Sequence, residues 1–236
     1  MNTFVLVHGA WHGGWSWRWV REHLESHGHR VFTPTMPGVG ERANLISTNI
    51  TLDTVISDVI AVLKDKDLFD VVLVGHSFAG PVITGVADRI SSRIKQLIYL
   101  DAAILENGES MNSCILPEIV IERQRLADES SGGLSYPIPS AEKLGIIEPQ
   151  LWNYIKPYLT PHPTSTYSSK LTLKSKPGDE FPCTYIVCTD PFYEPLAWAR
   201  KRAIKYSWPI IEIATGHDAM ISLPEETARV FMEIVG

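Results

Sequence analysis

A serine stands at a tight turn between a predicted strand and a predicted helix, in the stretch "VVLVGHSFAG". Ser77 has Gly75 two residues before it and Ala79 two residues after it. This spacing approximates G-x-S-x-G, in which small residues let the strand and the helix approach each other closely. The second small position is alanine, and Gly80 follows it directly. The stretch therefore predicts a nucleophilic serine, with a turn serine that caps the following helix as the alternative.

A histidine in the stretch "IATGHDAMISLPEE" is the candidate base. Serine is a weak nucleophile unless a base takes its proton, and histidine is the residue type best suited to that role near neutral pH. With the chain order serine, acid, histidine, the acid lies between Ser77 and His217. We predict Asp190, because it follows the penultimate strand at an edge where catalytic groups gather. Glu194 and Asp101 are the alternatives.

The loop after the first predicted strand reads "LVHGAWHGGWSW". Attack of a serine on a carbonyl carbon creates an oxyanion, which needs backbone N–H donors aimed at it in advance. The glycines of this loop let its backbone approach a ligand, so the loop can supply one donor. We interpret His8 and His12 as residues that hold the shape of the loop rather than as catalytic groups.

Short apolar runs alternate with longer amphipathic runs along the chain. Runs that are apolar throughout are typical of strands covered on both faces, and the alternation predicts an α/β doubly wound, mostly parallel sheet. The six predicted strands are Phe4–Val7, Arg30–Thr33, Val71–Gly75, Gln96–Leu100, Thr184–Cys188 and Pro209–Ala214. The predicted helices are Ser16–His27, Leu52–Lys64, Ala79–Ile90, Glu194–Tyr206 and Pro224–Val235.

The alternation fails between about residues 104 and 178, where proline and glycine are frequent. The segment contains two predicted helical pieces, Leu116–Glu129 and Glu148–Leu159. A stretch of this length between two strands is unusual for a plain loop. We therefore predict a core formed by residues 1–103 and 179–236, with residues 104–178 inserted as a cap over the active site.

The composition is that of an ordinary globular protein. The chain has 236 residues, 44% of them apolar, and a formal net charge of −6. The negative charge argues against nucleic acid or an anionic membrane as a partner. Three cysteines give no disulfide framework, and the eight histidines show no metal-ligand spacing. We expect no signal peptide, and therefore a cytoplasmic protein. From the histidine spacing we also expect no metal site.

Taken together, the serine turn, the first loop, the histidine stretch, "VFTPTMPGVGER" and "IYLDA" resemble the small α/β-hydrolases. The resemblance is to the branch that contains plant methylesterases, hydroxynitrile lyases and bacterial carboxylesterases of the pyrethroid-hydrolase type. It implies an α/β-hydrolase fold and a triad of Ser77, Asp190 and His217. It also implies oxyanion donors at the backbone N–H groups of Ala10 and Phe78. The chain departs from many relatives in one respect. Its predicted acid, Asp190 in the stretch "CTDP", lies one residue earlier than the acid of those relatives.

We expect a serine hydrolase that cleaves a small, largely apolar or aromatic carboxylic ester through an acyl-enzyme, without a cofactor. Related hydroxynitrile lyases carry a lysine where this chain has Asp218 and a threonine where it has Gly9. Both differences favour hydrolysis. The intact serine motif disfavours a cofactor-free enzyme that uses only a histidine and an acid. A non-catalytic protein that binds a small molecule is the remaining alternative.

The predicted substrate pocket lies between the sheet edge and the cap. Apolar residues near the catalytic loops indicate an uncharged ester, although Arg18 and Arg42 lie nearby in sequence. The resemblance also makes a homodimer an expectation, and it includes His162 as a recurring cap residue without an assigned role. The candidate lining residues, besides Phe78, are Trp11, Leu105, Trp152, Tyr154, Phe192 and Met220.

Overall fold

A computed structural model of the chain describes all residues, 1–236. Eight strands and nine α-helices alternate along it. The strands are β1 (Thr3–Val7), β2 (Arg30–Phe32), β3 (Val71–His76), β4 (Ile94–Leu100), β5 (Ser135–Tyr136), β6 (His162–Pro163), β7 (Cys183–Cys188) and β8 (Ile210–Ile213). The helices are α1 (Arg18–Ser26), α2 (Leu52–Asp65), α3 (Ala79–Arg89), α4 (Pro117–Ser131), α5 (Pro149–Ile155), α6 (Ser165–Ser168), α7 (Ala197–Lys205), α8 (Ala219–Ser222) and α9 (Pro224–Val235).

Six strands form one sheet in the order β2-β1-β3-β4-β7-β8, and every neighbouring pair is parallel. These are the six predicted strands, so the predicted α/β class and parallel sheet are confirmed. The interior strands β3 and β7 are buried at every position, because helices cover both faces of the sheet. The carboxyl ends of parallel strands meet at one edge, which is where the loops carrying Ser77 and His217 begin.

The helices follow the predicted pattern with local changes at their first turns. The predicted first helix is preceded by a 3₁₀ turn, Gly14–Trp17, and the predicted helix from Glu194 also begins with a 3₁₀ turn before α7. Helix α2 begins as expected, because the Thr51 hydroxyl accepts a hydrogen bond from the Thr54 N–H in a capping box.

Residues 104–178 contain the short helices α4 to α6 and a two-stranded antiparallel ribbon of β5 and β6. The predicted helical pieces correspond to α4 and α5, and α5 continues into a 3₁₀ turn, Lys156–Tyr158. The division of the chain into a core and a cap stays a prediction. None of the helices has the length and apolar character needed to cross a membrane.

Candidate active site

Ser77 occupies the turn between β3 and α3 with a φ of 55°. This left-handed conformation is costly for a residue with a Cβ atom and persists only where the surroundings enforce it. The backbone on both sides is fixed: the Ser77 N–H donates to Leu100 O at 3.2 Å, and the Ala103 N–H donates to Ser77 O at 2.9 Å. The loop after β4 therefore holds the serine in its strained turn.

The small neighbours of the serine are required by close packing. A Cβ atom on Gly75 would lie 2.8 Å from Ala79 O, and one on Gly80 would lie 1.8 Å from Ala103 O. A Cβ atom on Gly9 would lie 2.9 Å from the Cβ of Ser77. In the first turn of α3, the residue that lies closest to neighbouring backbone is therefore Gly80. This explains why alanine is accommodated at position 79.

Three side chains form a hydrogen-bonded row. His217 Nε2 lies 2.8 Å from Ser77 Oγ, and His217 Nδ1 lies 2.6 Å from Asp101 Oδ2. An ionised carboxylate only accepts, so Asp101 selects the imidazole tautomer that carries its proton on Nδ1. His217 Nε2 is then free to accept the proton of the serine hydroxyl, which is the arrangement of a serine activated by a base.

The prediction that Asp190 orients His217 is wrong, because the carboxylate in contact with the imidazole is that of Asp101. The parallel pairing of His76 with Leu100 places Ser77 and Asp101 beside each other, one residue beyond the two strand ends.

Asp190 is exposed instead and lines a surface cavity of about 240 Å³ together with Thr215 and Gly216. The other alternative, Glu194, is also exposed. The signal that could have identified the acid was an aspartate at the end of the strand that neighbours the serine strand.

The two predicted oxyanion donors lie on opposite sides of the serine in sequence, and both residues are buried. The backbone N–H groups of Ala10 and Phe78 donate no hydrogen bond within the chain, so both remain available to a ligand. Phe78 directly precedes the 11-residue helix α3, whose N-terminus favours negative charge.

His8 holds the peptide group that carries the Ala10 N–H. The Met36 N–H donates to His8 Nε2 at 3.0 Å, so His8 Nδ1 bears the proton and donates to Gly9 O at 2.8 Å. Because the peptide is planar and trans, fixing the Gly9 carbonyl also fixes the direction of the Ala10 N–H. Burial lowers the pKa of His8 to about 3, which keeps the ring neutral. This geometry supports the interpretation of His8 as a residue that holds the loop.

Aromatic rings pack against His217 and against Phe78, the residue after the serine. Tyr193 stacks on His217 with ring centroids 3.8 Å apart, and Tyr167 stacks on Phe78 at 5.3 Å. His162 lies edge-on to Phe78 at 4.8 Å. Burial lowers the pKa of His162 to about 3, so this cap histidine is a neutral packing group. Sequence reasoning missed both tyrosines, because neither belongs to a motif.

The remaining predicted pocket residues are more dispersed. Trp11 packs near His162 with centroids 6.1 Å apart, whereas Tyr154 stacks on Trp19 of α1. Leu105 and Met220 are fully buried in the core. Trp152 and Phe192 are partly buried, each beside a cationic side chain. For these residues the pocket assignment stays a prediction.

The sequence matches the model of the Alpha/beta hydrolase family over residues 4–230. It is 38% identical over 238 residues to the carbendazim hydrolyzing esterase of Nocardioides sp. (strain SG-4G), covering 97% of this chain and 98% of that protein. Methylesterase 1 of Arabidopsis thaliana is 25% identical over 98% of this chain and 95% of its own length. An Arabidopsis α-hydroxynitrile lyase is 39% identical over only 43% of this chain and 40% of its own.

Comparison with solved structures also gives an α/β-hydrolase fold. An extracellular alpha/beta-hydrolase from a Paenibacillus species superposes with a TM-score of 0.89 at 25% identity, covering 99% of both chains. A pyrethroid hydrolase from Sphingobium faniae JZ-2 superposes with a TM-score of 0.73 at 20% identity, over 98% of this chain and 96% of that one. The predicted α/β-hydrolase fold and family are thus confirmed, and the chain belongs to the alpha/beta hydrolase family as a hydrolase of the carboxylesterase type.

Proposed function

We propose that the protein is a serine esterase in which Ser77 is the nucleophile, His217 the general base and Asp101 the residue that orients the base. The observation that carries this proposal is the continuous row of hydrogen bonds from Asp101 through His217 to Ser77 Oγ, at 2.6 and 2.8 Å. The strained serine turn and the two unused N–H groups beside it support the same assignment.

In the acylation half-reaction, His217 Nε2 takes the hydroxyl proton while Ser77 Oγ bonds to the carbonyl carbon of the ester. The carbonyl oxygen becomes an oxyanion that accepts hydrogen bonds from the N–H groups of Ala10 and Phe78. His217 then gives its proton to the leaving alcohol oxygen as the carbon–oxygen bond breaks. The products are an acyl-enzyme and a free alcohol.

In the deacylation half-reaction, His217 takes a proton from a water molecule, and the water oxygen attacks the acyl carbon. The proton returns to Ser77 Oγ as the acyl–serine bond breaks, which releases the carboxylic acid. Asp101 stays ionised throughout and stabilises the imidazolium. The scheme uses side chains, backbone donors and water, and it requires neither a metal nor an organic cofactor.

We further propose that the substrate is a small, largely apolar or aromatic ester. Tyr193 stacks on His217 and Tyr167 stacks on Phe78, the residue after Ser77, and these aromatic rings support the proposal. Carbendazim, a pyrethroid and simple methyl esters are suitable first substrates, because proteins similar to this chain are named as a carbendazim hydrolyzing esterase, a pyrethroid hydrolase and a methylesterase. The relative activity of the protein on these substrates would identify the acyl and alcohol groups that its active site accepts.

Asp218 is evidence against the alternative function of a hydroxynitrile lyase. This carboxylate directly follows His217, is buried and lies 3.2 Å from His12 Nε2. Although burial would raise the pKa of Asp218, neighbouring histidines led by His12 lower it to about 2, so the group is an anion at neutral pH. An anion at this place disfavours a departing cyanide ion. We therefore expect no cyanide release from mandelonitrile above background, and clear release would favour the lyase.

The proposal is tested by replacing the nucleophile. Ser77→Ala should lower kcat for p-nitrophenyl acetate by at least ~10⁴-fold, because removal of a triad nucleophile leaves only the contribution of the oxyanion donors and binding. A fluorophosphonate should label Ser77 in the wild-type protein and not label the variant. Retained turnover in a clean Ser77→Ala preparation would contradict the proposal, and a wild-type protein that is not labelled would favour a non-catalytic binder.

The location and assembly of the protein are also proposals. A cytoplasmic location is the expectation from the sequence, whereas the structural neighbour from Paenibacillus is described as extracellular. A homodimer is likewise an expectation that light scattering after size-exclusion chromatography would test.

A further inference from the structure

A buried histidine–carboxylate pair lies behind the proposed catalytic row. His12 Nε2 is 3.2 Å from Asp218 Oδ2, and His12 Nδ1 is 2.7 Å from Ala10 O. A carbonyl and an ionised carboxylate only accept hydrogen bonds, so His12 satisfies both contacts only when each of its nitrogens carries a proton. The geometry therefore requires an imidazolium, and both side chains of this ion pair are almost completely buried.

The charges of the two groups sustain each other. Burial by itself would lower the pKa of His12, but the Asp218 carboxylate outweighs this effect and raises it. Burial would likewise raise the pKa of Asp218, and His12 is the main group that lowers it to about 2. The ring of Trp15 stacks on His12 with centroids 5.5 Å apart, and an aromatic face is a favourable neighbour for a cation.

The pair connects the two loops that flank the serine. His12 holds the carbonyl of Ala10, the residue whose N–H is a proposed oxyanion donor. Asp218 directly follows the proposed base, His217. No other side-chain hydrogen bond joins these two loops, one of which follows β1 while the other follows β8.

A second histidine extends the connection to the serine turn. His76 directly precedes Ser77, and its Nε2 lies 3.0 Å from His217 O and 3.7 Å from Asp218 Oδ1. Both neighbours are acceptors, so Nε2 carries the proton, and burial lowers the pKa of His76 well below its usual value. Asp218, which follows β8, is therefore in contact with His12 from the loop after β1 and with His76 at the end of β3, next to Ser77.

We propose that His12 and Asp218 form a positioning ion pair that keeps the oxyanion donor Ala10 in fixed relation to the base His217. This inference rests on the proposed esterase function. Neither side chain is hydrogen-bonded to Ser77 or His217: His12 acts through the carbonyl group of Ala10, and Asp218 acts through His12 and through its own place in the chain next to His217. Positioning matters because a displacement of about 1 Å at a catalytic group can cost ~10²-fold in rate.

Two substitutions of His12 separate its two contacts. In His12→Gln the side-chain amide reaches toward Asp218 but leaves the Ala10 carbonyl, whereas in His12→Asn the shorter amide reaches Ala10 O and leaves Asp218. Since the inference needs both contacts at once, each variant should lower kcat per fluorophosphonate-labelled site by about 10- to 100-fold. KM should stay within about threefold, because neither residue binds the substrate.

A matched control is His23→Gln, because His23 forms a partly exposed histidine–carboxylate contact with Glu225 at 3.6 Å. Its kcat should stay within about twofold of wild type. Combining His12→Gln with Asp218→Asn replaces both charges by amides. If the pair acts as a unit, the double variant loses no more activity than the worse of its two single variants.

The outcomes separate the inference from the proposed function. Variants whose melting temperature falls but whose kcat per labelled site stays within twofold would show that the pair has a structural role only, and the inference would be wrong. Where a variant does not fold, ¹⁵N NMR of wild-type His12 at pH 7 decides: two protonated nitrogens support the pair, and a neutral ring overturns it. A wild-type protein that neither labels nor hydrolyses esters overturns the proposed function and this inference with it.

Discussion

Tyr193 limits the motion of the proposed base. Its ring lies parallel to that of His217, with a centroid distance of 3.8 Å and an angle of 15° between the planes. Burial raises the pKa of the Tyr193 phenol, so the ring stays neutral over the range in which a histidine base works. The imidazole is therefore confined on one face by Tyr193, while Ser77 and Asp101 fix its two nitrogens.

We expect Tyr193→Ala to lower kcat per fluorophosphonate-labelled site by about tenfold, because the imidazole can then leave its productive orientation. Tyr193→Phe is the matched control and should stay within about twofold, since it keeps the stacked ring and removes only the hydroxyl. Active-site titration followed by steady-state kinetics measures both. Equal activity in the alanine variant and the wild type would show that the stack does not position His217.

At the scale of single residues, the sequence predicted the serine and the histidine that the structure brings into contact, because local motifs specify them. The acid has no such motif. Asp101 becomes a partner of His217 only because β4 pairs with β3 in a register that sets Leu100 opposite His76. Register between strands is a non-local property, so the sequence alone left Asp190, Glu194 and Asp101 as candidates and favoured Asp190, which does not contact His217.

At the scale of elements, the approach of α3 to the loop after β4 fixes the serine turn. Gly80 in the first turn of α3 faces Ala103, and a Cβ atom there would lie 1.8 Å from the Ala103 carbonyl oxygen. That loop also donates the hydrogen bond from the Ala103 N–H to Ser77 O. Any widening between helix and loop therefore changes the backbone of the serine itself.

Gly80→Ala should destabilise the protein by about 3 kcal/mol, at the upper end of the cost of overpacking, because the nearest atom belongs to the backbone and cannot rotate away. This loss would outweigh the gain of up to about 1 kcal/mol from the better helix propensity of alanine. Urea unfolding measures the change. Ser57→Ala, at an exposed position of α2, is the control and should stay within about 0.5 kcal/mol of wild type. A stabilised Gly80→Ala variant would contradict the packing argument.

The elements themselves were largely predictable. Apolar runs specify the six strands of the sheet, and Thr51 specifies the start of α2. The ribbon of β5 and β6 was not predictable, because it joins two-residue strands that are separated by 25 residues of irregular chain and short helices. Pairings of that kind depend on tertiary contacts rather than on local pattern.

At the scale of the whole molecule, buried neutral histidines make stability depend on pH. His8 and His162 each have a pKa lowered to about 3, with burial as the main cause. The unfolded chain binds protons at these groups below about pH 6.5, whereas the folded chain does not. Their contribution to stability is therefore complete above about pH 6.5 and is lost progressively as the pH falls toward 3.

His162→Gln should weaken this dependence. Between about pH 4 and 6 the unfolded wild-type chain carries nearly one more proton than the folded chain at position 162, which contributes a slope of about 1.4 kcal/mol per pH unit. The free energy of unfolding of the variant should fall less steeply with decreasing pH by that amount. Urea unfolding at several pH values measures the slopes, and parallel curves for the two proteins would show that His162 titrates normally in the folded state.

The central claim is that a row of Asp101, His217 and Ser77 carries out ester hydrolysis, and the most direct test compares the two candidate acids. The measurement is kcat/KM for p-nitrophenyl acetate, per folded protein, for Asp101→Asn and Asp190→Asn side by side. The structure predicts a loss of about 10⁴-fold for Asp101→Asn, because the asparagine favours the wrong imidazole tautomer, and a change of less than about threefold for Asp190→Asn. Near-full activity of Asp101→Asn, with the large loss falling on Asp190→Asn, would contradict the account.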